Sequence, residues 1–125
     1  MNEYNLNLKL DYYGLLNLHK TLLEAKFHTM PDNDEVSESP FVASLYIQVR
    51  DLLMESDKGS QWKNWFQLNN RPERRNQAII LMRKSKRWNK ATPDQKSKIA
   101  CNILAPFLFN EEELKNVIAE AENRV

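Results

Sequence analysis

Ser39-Pro40-Phe41-Val42-Ala43-Ser44-Leu45-Tyr46-Ile47-Gln48-Val49-Arg50-Asp51-Leu52-Leu53-Met54-Glu55 reads as a helix from its first two residues onward. Ser39 places a hydroxyl at the cap position. Pro40 follows at the first helical position, where its fixed φ and missing N–H cost nothing. Val42, Leu45, Tyr46, Val49 and Leu53 then recur at i, i+3, i+4, i+7 and i+11, one apolar stripe on a 3.6-residue period. The pattern stops near Glu55, before Asp57-Lys58-Gly59.

The same grammar extends outward in both directions. Asp11 caps an expected helix from Tyr12 to about Phe27, with Leu15, Leu18 and Leu22 in one stripe and Leu16, Leu23 and Phe27 beside it. Residues 29–39 hold Pro31, Asp32, Asn33 and Asp34 and read as an acidic loop. Ser60 is the expected cap of a short helix carrying Trp62, Trp65 and Phe66, which Asn69-Asn70-Arg71-Pro72 breaks. Pro72 opens a longer helix, expected over Glu73 to Trp88. Thr92-Pro93-Asp94-Gln95 is a capping box, and its helix presents Ala100, Ile103, Leu104 and Phe107 on one face until Pro106 ends it. Asn110 caps the last helix. Glu111, Glu112 and Glu113 occupy the first turn, where the helix dipole favours negative charge, and Leu114, Val117, Ile118 and Ala121 supply its apolar face. Leu6, Leu8 and Leu10 alternate with polar residues as a strand does, but no second alternating segment pairs with them. The expected fold is all-α: one domain over residues 1–125, a bundle of five to six helices with a short extended N-terminal segment.

Composition bounds the function classes. The chain has 125 residues, 42% hydrophobic and 28% charged, as a globular domain does. No apolar run approaches the ~20 residues that cross a bilayer, so no membrane role is expected. Met1-Asn2-Glu3-Tyr4 lacks the basic, then apolar, start of a secretory signal. A single cysteine, Cys101, forbids an internal disulfide and fits a reducing cytoplasm. Two glycines, Gly14 and Gly59, are too few for a phosphate-cradling loop, and no dinucleotide motif occurs.

The charges are segregated. The net charge is only +1. Residues 1–57 set four cations against ten carboxylates, residues 58–98 set twelve cations against two carboxylates, and residues 99–125 set two against five. A field of this kind either steers a charged partner or holds the protein's own halves together. Asp32, Asp34, Glu35 and Glu38 cluster on the loop, and Asp51 and Glu55 share the outer face of the following helix at i, i+4. Together they are a candidate patch for a basic protein partner. Arg83, Lys86, Arg87 and Lys90, at spacings 0, 3, 4 and 7, would share one helical face and are the candidate nucleic-acid surface, with the tryptophans available to stack on bases.

A catalytic constellation is not evident. His19 and His28 lie nine residues apart and face different sides of their helix. No Cys-x-x-Cys or His-x-x-x-His spacing marks a metal site. Cys101 adjoins Ala100, Ile103 and Leu104 and is expected to be a buried structural thiol. No catalytic residue, metal or cofactor is expected, and the chain reads as a non-enzyme.

Tyr12-Tyr13-Gly14-Leu15-Leu16-Asn17-Leu18-His19-Lys20, then Glu24-Ala25-Lys26-Phe27-His28, the acidic loop and Ser39-Pro40-Phe41-Val42-Ala43 resemble the small helical immunity proteins of bacterial toxin–immunity pairs, including those of contact-dependent growth inhibition. The resemblance spans roughly residues 10–55. It implies a cytoplasmic protein that binds a cognate toxin domain and occludes its active site or substrate groove. The basic middle departs from the acidic character of inhibitors of nuclease toxins. The alternative reading is a helical nucleic-acid-binding protein or regulator that uses residues 71–98.

Overall fold

Helix caps set the element boundaries. In the computed structural model, which describes residues 2–123, the Asp11 carboxylate accepts from the Gly14 N–H and starts α1 (Tyr12–Lys26). The Ser39 hydroxyl accepts from Val42 N–H and Pro40 takes the first position of α2 (Pro40–Glu55). Full capping boxes, Thr92 with Gln95 and Asn110 with Glu113, start α5 (Pro93–Leu104) and α6 (Glu111–Glu122). Between them lie α3 (Gly59–Trp65) and α4 (Pro72–Lys84). Single 3₁₀ turns occupy Leu68–Asn70 and Trp88–Lys90. The fold of the described residues is all-α, and residues 2–11 carry neither helix nor strand.

Two boundaries differ from expectation. The third helix begins at Gly59, and Ser60 does not cap it. A Cβ on residue 59 would stand 2.0 Å from the Met54 carbonyl oxygen, so the chain doubles back on the end of α2 in a space only glycine fits. The fourth helix ends at Lys84, not Trp88. Ser85 is extended (φ −62°, ψ 127°), and the chain bends inward so that Trp88 is completely buried. Its Nε1 has no hydrogen-bond partner among the described residues. An aromatic ring of this size gains roughly 4–6 kcal/mol by area burial, which exceeds the ~1–3 kcal/mol cost of an unpaired N–H.

Helices α1 and α3 pack on α2, while α4, α5 and α6 pack on one another, and contacts between α2 and α5 join the two groups. A lone parallel bridge between Gln67 and Leu108 ties the segments after α3 and α5, with Leu68 N–H donating to Leu108 O at 3.0 Å and Leu108 N–H to Phe66 O at 2.8 Å. Tyr46, Leu53, Phe66, Leu68, Met82, Ile103, Leu104 and Val117 form the fully enclosed centre.

The inward face of α1 is not the leucine stripe alone. Leu15 and Leu18 are half-buried, and the buried positions are His19, Leu22, Leu23 and Lys26. His19 sits edge-on to Tyr46, Trp62, Trp65 and Phe66, with Nδ1 2.7 Å from the Tyr46 hydroxyl. Lys26 is fully buried. Its ammonium donates to the carbonyls of Asn102 (2.7 Å), Ser37 (3.0 Å) and Ile103 (3.4 Å). Asn102 and Ile103 lie in the last turn of α5, where carbonyls lack helical partners. Lys26 is therefore a C-terminal cap for α5, supplied by another helix.

Burial drives the His19 imidazole down to about 4, helped by the charges of Lys20 and Arg74. The folded value lies below the ordinary 6.5, so the native chain binds fewer protons than the unfolded chain between pH 6.5 and 4. Stability is full above that window and falls as pH drops through it, by up to about 1.4 kcal/mol per unit. Urea unfolding from pH 7 to 4.5 will show a shallower acid limb for His19→Gln than for the parent chain. Parallel limbs would mean that His19 titrates normally.

Burial likewise lowers the Lys26 ammonium, to about 7, against the pull of its three carbonyls. The native chain then holds fewer protons than the unfolded chain from pH 7 to 10.5, and stability rises with pH across that window. Lys26→Met removes the charge, keeps an apolar stem and flattens the rise between pH 7 and 9.5. A parent curve as flat as the variant's would contradict the buried amine.

Candidate functional site

The acidic and basic segments meet each other. Loop residues 29–39 run to the start of α2, and the bend after α4 brings Ser85, Lys86 and Arg87 against them. Arg87 Nε donates to Glu38 Oε1 at 2.9 Å, and Lys86 Nζ lies 3.6 Å from Asp34 Oδ2. A groove of about 510 Å³ runs between the two segments, with Pro40 and Phe41 on its rim. A second groove of about 660 Å³ shares Pro40, Lys86 and Arg87 and continues past Lys90, Gln95, Lys98 and Asn102.

Lys26 holds this arrangement in place. Its bond to the Ser37 carbonyl fixes the residue before Glu38, and Ser37 is itself buried. Lys84 adds a second tie, donating to Thr29 O at 2.6 Å.

The acidic sextet does not form one cluster. Asp34 and Glu38 are paired within the chain, while Asp32 and Glu35 are exposed and make no ion pair among the described residues. Asp51 and Glu55 lie toward the far end of α2, with Asp51 about 16 Å of helical rise beyond Pro40. Asp51 pairs with Arg50 at 2.9 Å, and Arg50 Nη1 also donates to the Pro106 carbonyl at 3.0 Å. What connects the two acidic groups is a feature that the core-facing stripe obscured. Phe41, Leu45 and Leu52 stand on the outer side of α2, within about 40° of one another on the helical wheel. They are 84%, 43% and 53% exposed. Leu45, expected in the core, belongs to this outer stripe, because Tyr46, Val49 and Leu53 define the inward direction. The signal was present in the sequence as a second apolar repeat at i, i+4, i+11.

The single basic face is not formed. Helix α4 stops at Lys84, so Arg83 points elsewhere than Lys86, Arg87 and Lys90. Arg83 donates to the carbonyls of Glu120 (2.6 Å), Asn123 (3.2 Å) and Ala121 (3.3 Å) and closes the end of α6. Arg75 forms a two-pronged pair with Glu120 at 2.9 and 2.8 Å, which raises the guanidinium and lowers the carboxyl. Lys96 pairs with Glu122. Of the basic quartet, only the Lys90 side chain makes no hydrogen bond or ion pair among the described residues; the Lys98 side chain in the same groove makes none either. The tryptophans are not stacking platforms: Trp88 is buried, and Trp62 and Trp65 enclose His19.

Cys101 is exposed, contrary to expectation, because α5 turns Ala100, Ile103 and Leu104 inward and leaves residue 101 on the outer side. Partial burial still raises its thiol, which keeps it protonated and poorly nucleophilic at neutral pH. Glu111, Glu112 and Glu113 start α6, with Glu113 completing the capping box. Among the described residues no group of three His, Cys, Asp or Glu is placed to hold a metal ion, and no helix is long and apolar enough to cross a membrane.

Comparison with protein-family models, with curated proteins and with solved structures gives no match.

The groove is separable from the core. Glu38→Gln removes the charge pair with Arg87, whose side chain is 62% exposed against 15% for Glu38, and a pair open to water on its cationic side contributes about 0–1 kcal/mol. Far-UV circular dichroism will be unchanged and the urea midpoint will fall by no more than about 1 kcal/mol. A loss of several kcal/mol would show that the pair holds up the core.

Proposed function

We propose that this protein is a non-enzymatic immunity protein that binds a cognate bacterial toxin domain in the cytoplasm and occludes its active site. The observation that carries the reading is the outer side of α2. Phe41, Leu45 and Leu52 give it an exposed apolar stripe, with Glu35 beside Phe41 at one end and Asp51 and Glu55 toward the other. Protein interfaces place apolar anchors at the centre and charge at the rim. An exposed phenylalanine on a rigid helix is a suitable anchor, and the flanking carboxylates would speed encounter with a basic surface and oppose wrong pairing. A toxin that acts on nucleic acid would present such a basic surface. Action is by occupancy: His19 lies enclosed in aromatic rings, and Asp34 and Glu38 at the groove are engaged by Lys86 and Arg87.

A nucleic-acid role has narrower support. It draws on Lys90 and Lys98 alone, since Arg83, Lys86 and Arg87 have acceptors within the chain. It predicts a low-salt shift of RNA or DNA that Lys90→Glu with Lys98→Glu abolishes.

Under this reading a toxin domain is encoded in a neighbouring reading frame, and coexpression with that domain tests it. The parent chain will protect growth and bind the purified domain. Phe41→Ala, a surface change that leaves the fold intact, will weaken binding by about 30- to 1000-fold, the 2–4 kcal/mol scale of an interface anchor. Absent protection, or equal affinity for both chains, would defeat the proposal.

A further inference from the structure

Residues 2–10 present a second surface, built differently from α2. Tyr4, Leu6, Leu8 and Leu10 alternate with Asn5, Asn7 and Lys9 and are 91%, 81%, 62% and 45% exposed. Exposure decreases toward Leu10, whose Cδ2 lies close over Gly14: a Cβ there would stand 3.1 Å from it. The segment is thus anchored at the first turn of α1 and leads away from the core. None of its backbone N–H or C=O groups bonds to another backbone group of the described chain. A period-2 apolar row with an unpaired backbone has the pattern of one strand of a β-ladder, and no segment of the described residues forms a strand that could pair with it.

We propose that the missing half is the same segment of a second copy, paired antiparallel about a twofold axis through Leu6. In the register where paired residue numbers sum to twelve, Tyr4 faces Leu8, Leu6 faces Leu6 and Asn5 faces Asn7. Glu3 faces Lys9, so the two ion pairs of the ribbon form by symmetry. Paired positions have the same parity, so every apolar side chain falls on one side of the ribbon and both charges fall on the other. A one-residue slip, with the sum at eleven or thirteen, would set apolar residues opposite polar ones throughout. At the sum of twelve Leu10 faces Asn2. A two-residue slip to a sum of fourteen also keeps the apolar side chains together, but only the sum of twelve pairs Glu3 with Lys9, and that charge complementarity selects a second copy over the sheet edge of an unrelated protein. Cross-strand pairs of these types each stabilise a ladder, and the symmetric contact uses every pair twice except Leu6 with Leu6 on the axis.

The experiment is sedimentation equilibrium of the full chain from 5 to 500 µM, with charge-reversed variants. The interface is small, so dimer is expected from about 100 µM upward. Glu3→Lys alone and Lys9→Glu alone each place like charges opposite one another and will weaken self-association about tenfold. Mixed in equal amounts they will associate with each other as strongly as the parent chain does with itself, because each supplies the charge its partner needs. With Cys101→Ser as background, Leu6→Cys will crosslink two copies under mild oxidation. Because residues 2–10 are exposed, none of these changes touches the core, and unchanged far-UV circular dichroism will confirm intact folding. A parent chain that stays monomeric at 500 µM, or charge variants that associate no better mixed than alone, would overturn the ribbon.

Discussion

A buried ammonium organises this molecule. Lys26, at the end of α1, is fully enclosed and gives its three protons to the carbonyls of Ser37, Asn102 and Ile103. Removing a lysine charge from water costs several kcal/mol, and such a group is tolerated only when its hydrogen bonds are complete. In the protonated form, which dominates below about pH 7, the three N–H groups match the three carbonyls in number. The bonds also solve a second problem, because the last carbonyls of α5 have no helical partner. One side chain therefore joins three segments distant in sequence: the first helix, the acidic loop and the fifth helix.

The loop's position follows from this tie. With Ser37 fixed, Glu38 faces Arg87 and Asp34 faces Lys86, and the chain enters α2 with Phe41 on the outside. Cations serve the same end elsewhere. Arg83 closes α6, Arg71 donates to the Trp65 carbonyl at the end of α3, and Arg50 reaches the Pro106 carbonyl. Much of the basic middle of the chain thus satisfies helix ends and neutralises its own acidic loop. The charge segregation of the sequence is largely an internal device. Under the proposed reading, the apolar outer side of α2, with Glu55 exposed beside it, is the surface left for a partner, and its chemistry suits a protein better than a nucleic acid.

The helices were legible because their caps are local chemistry. Asp11, Ser39-Pro40, Thr92 with Gln95 and Asn110 with Glu113 each act within one turn, and all four start helices where the sequence places them. The end of α4 was not legible, since nothing at residues 85–88 breaks a helix. The bend belongs to the burial of Trp88, a property of the whole core. Lys26 was invisible for a similar reason. A lysine at the end of an amphipathic helix is ordinarily solvated, and only the approach of α5 and residue 37 makes it a buried donor. The candidate surfaces were half legible. The charges were identified correctly, but whether two charged segments meet each other or a partner depends on tertiary distance. The outer stripe of α2 was hidden behind the stronger inward stripe that identified the helix.

Hydrogen exchange compared between the parent chain and Lys26→Met reads the organising role of the ammonium most directly. Exchange should quicken in residues 29–39, in the first turn of α2 and in the last turn of α5, while α4 and α6 keep their protection. Equal acceleration everywhere, or none in the loop, would contradict the account.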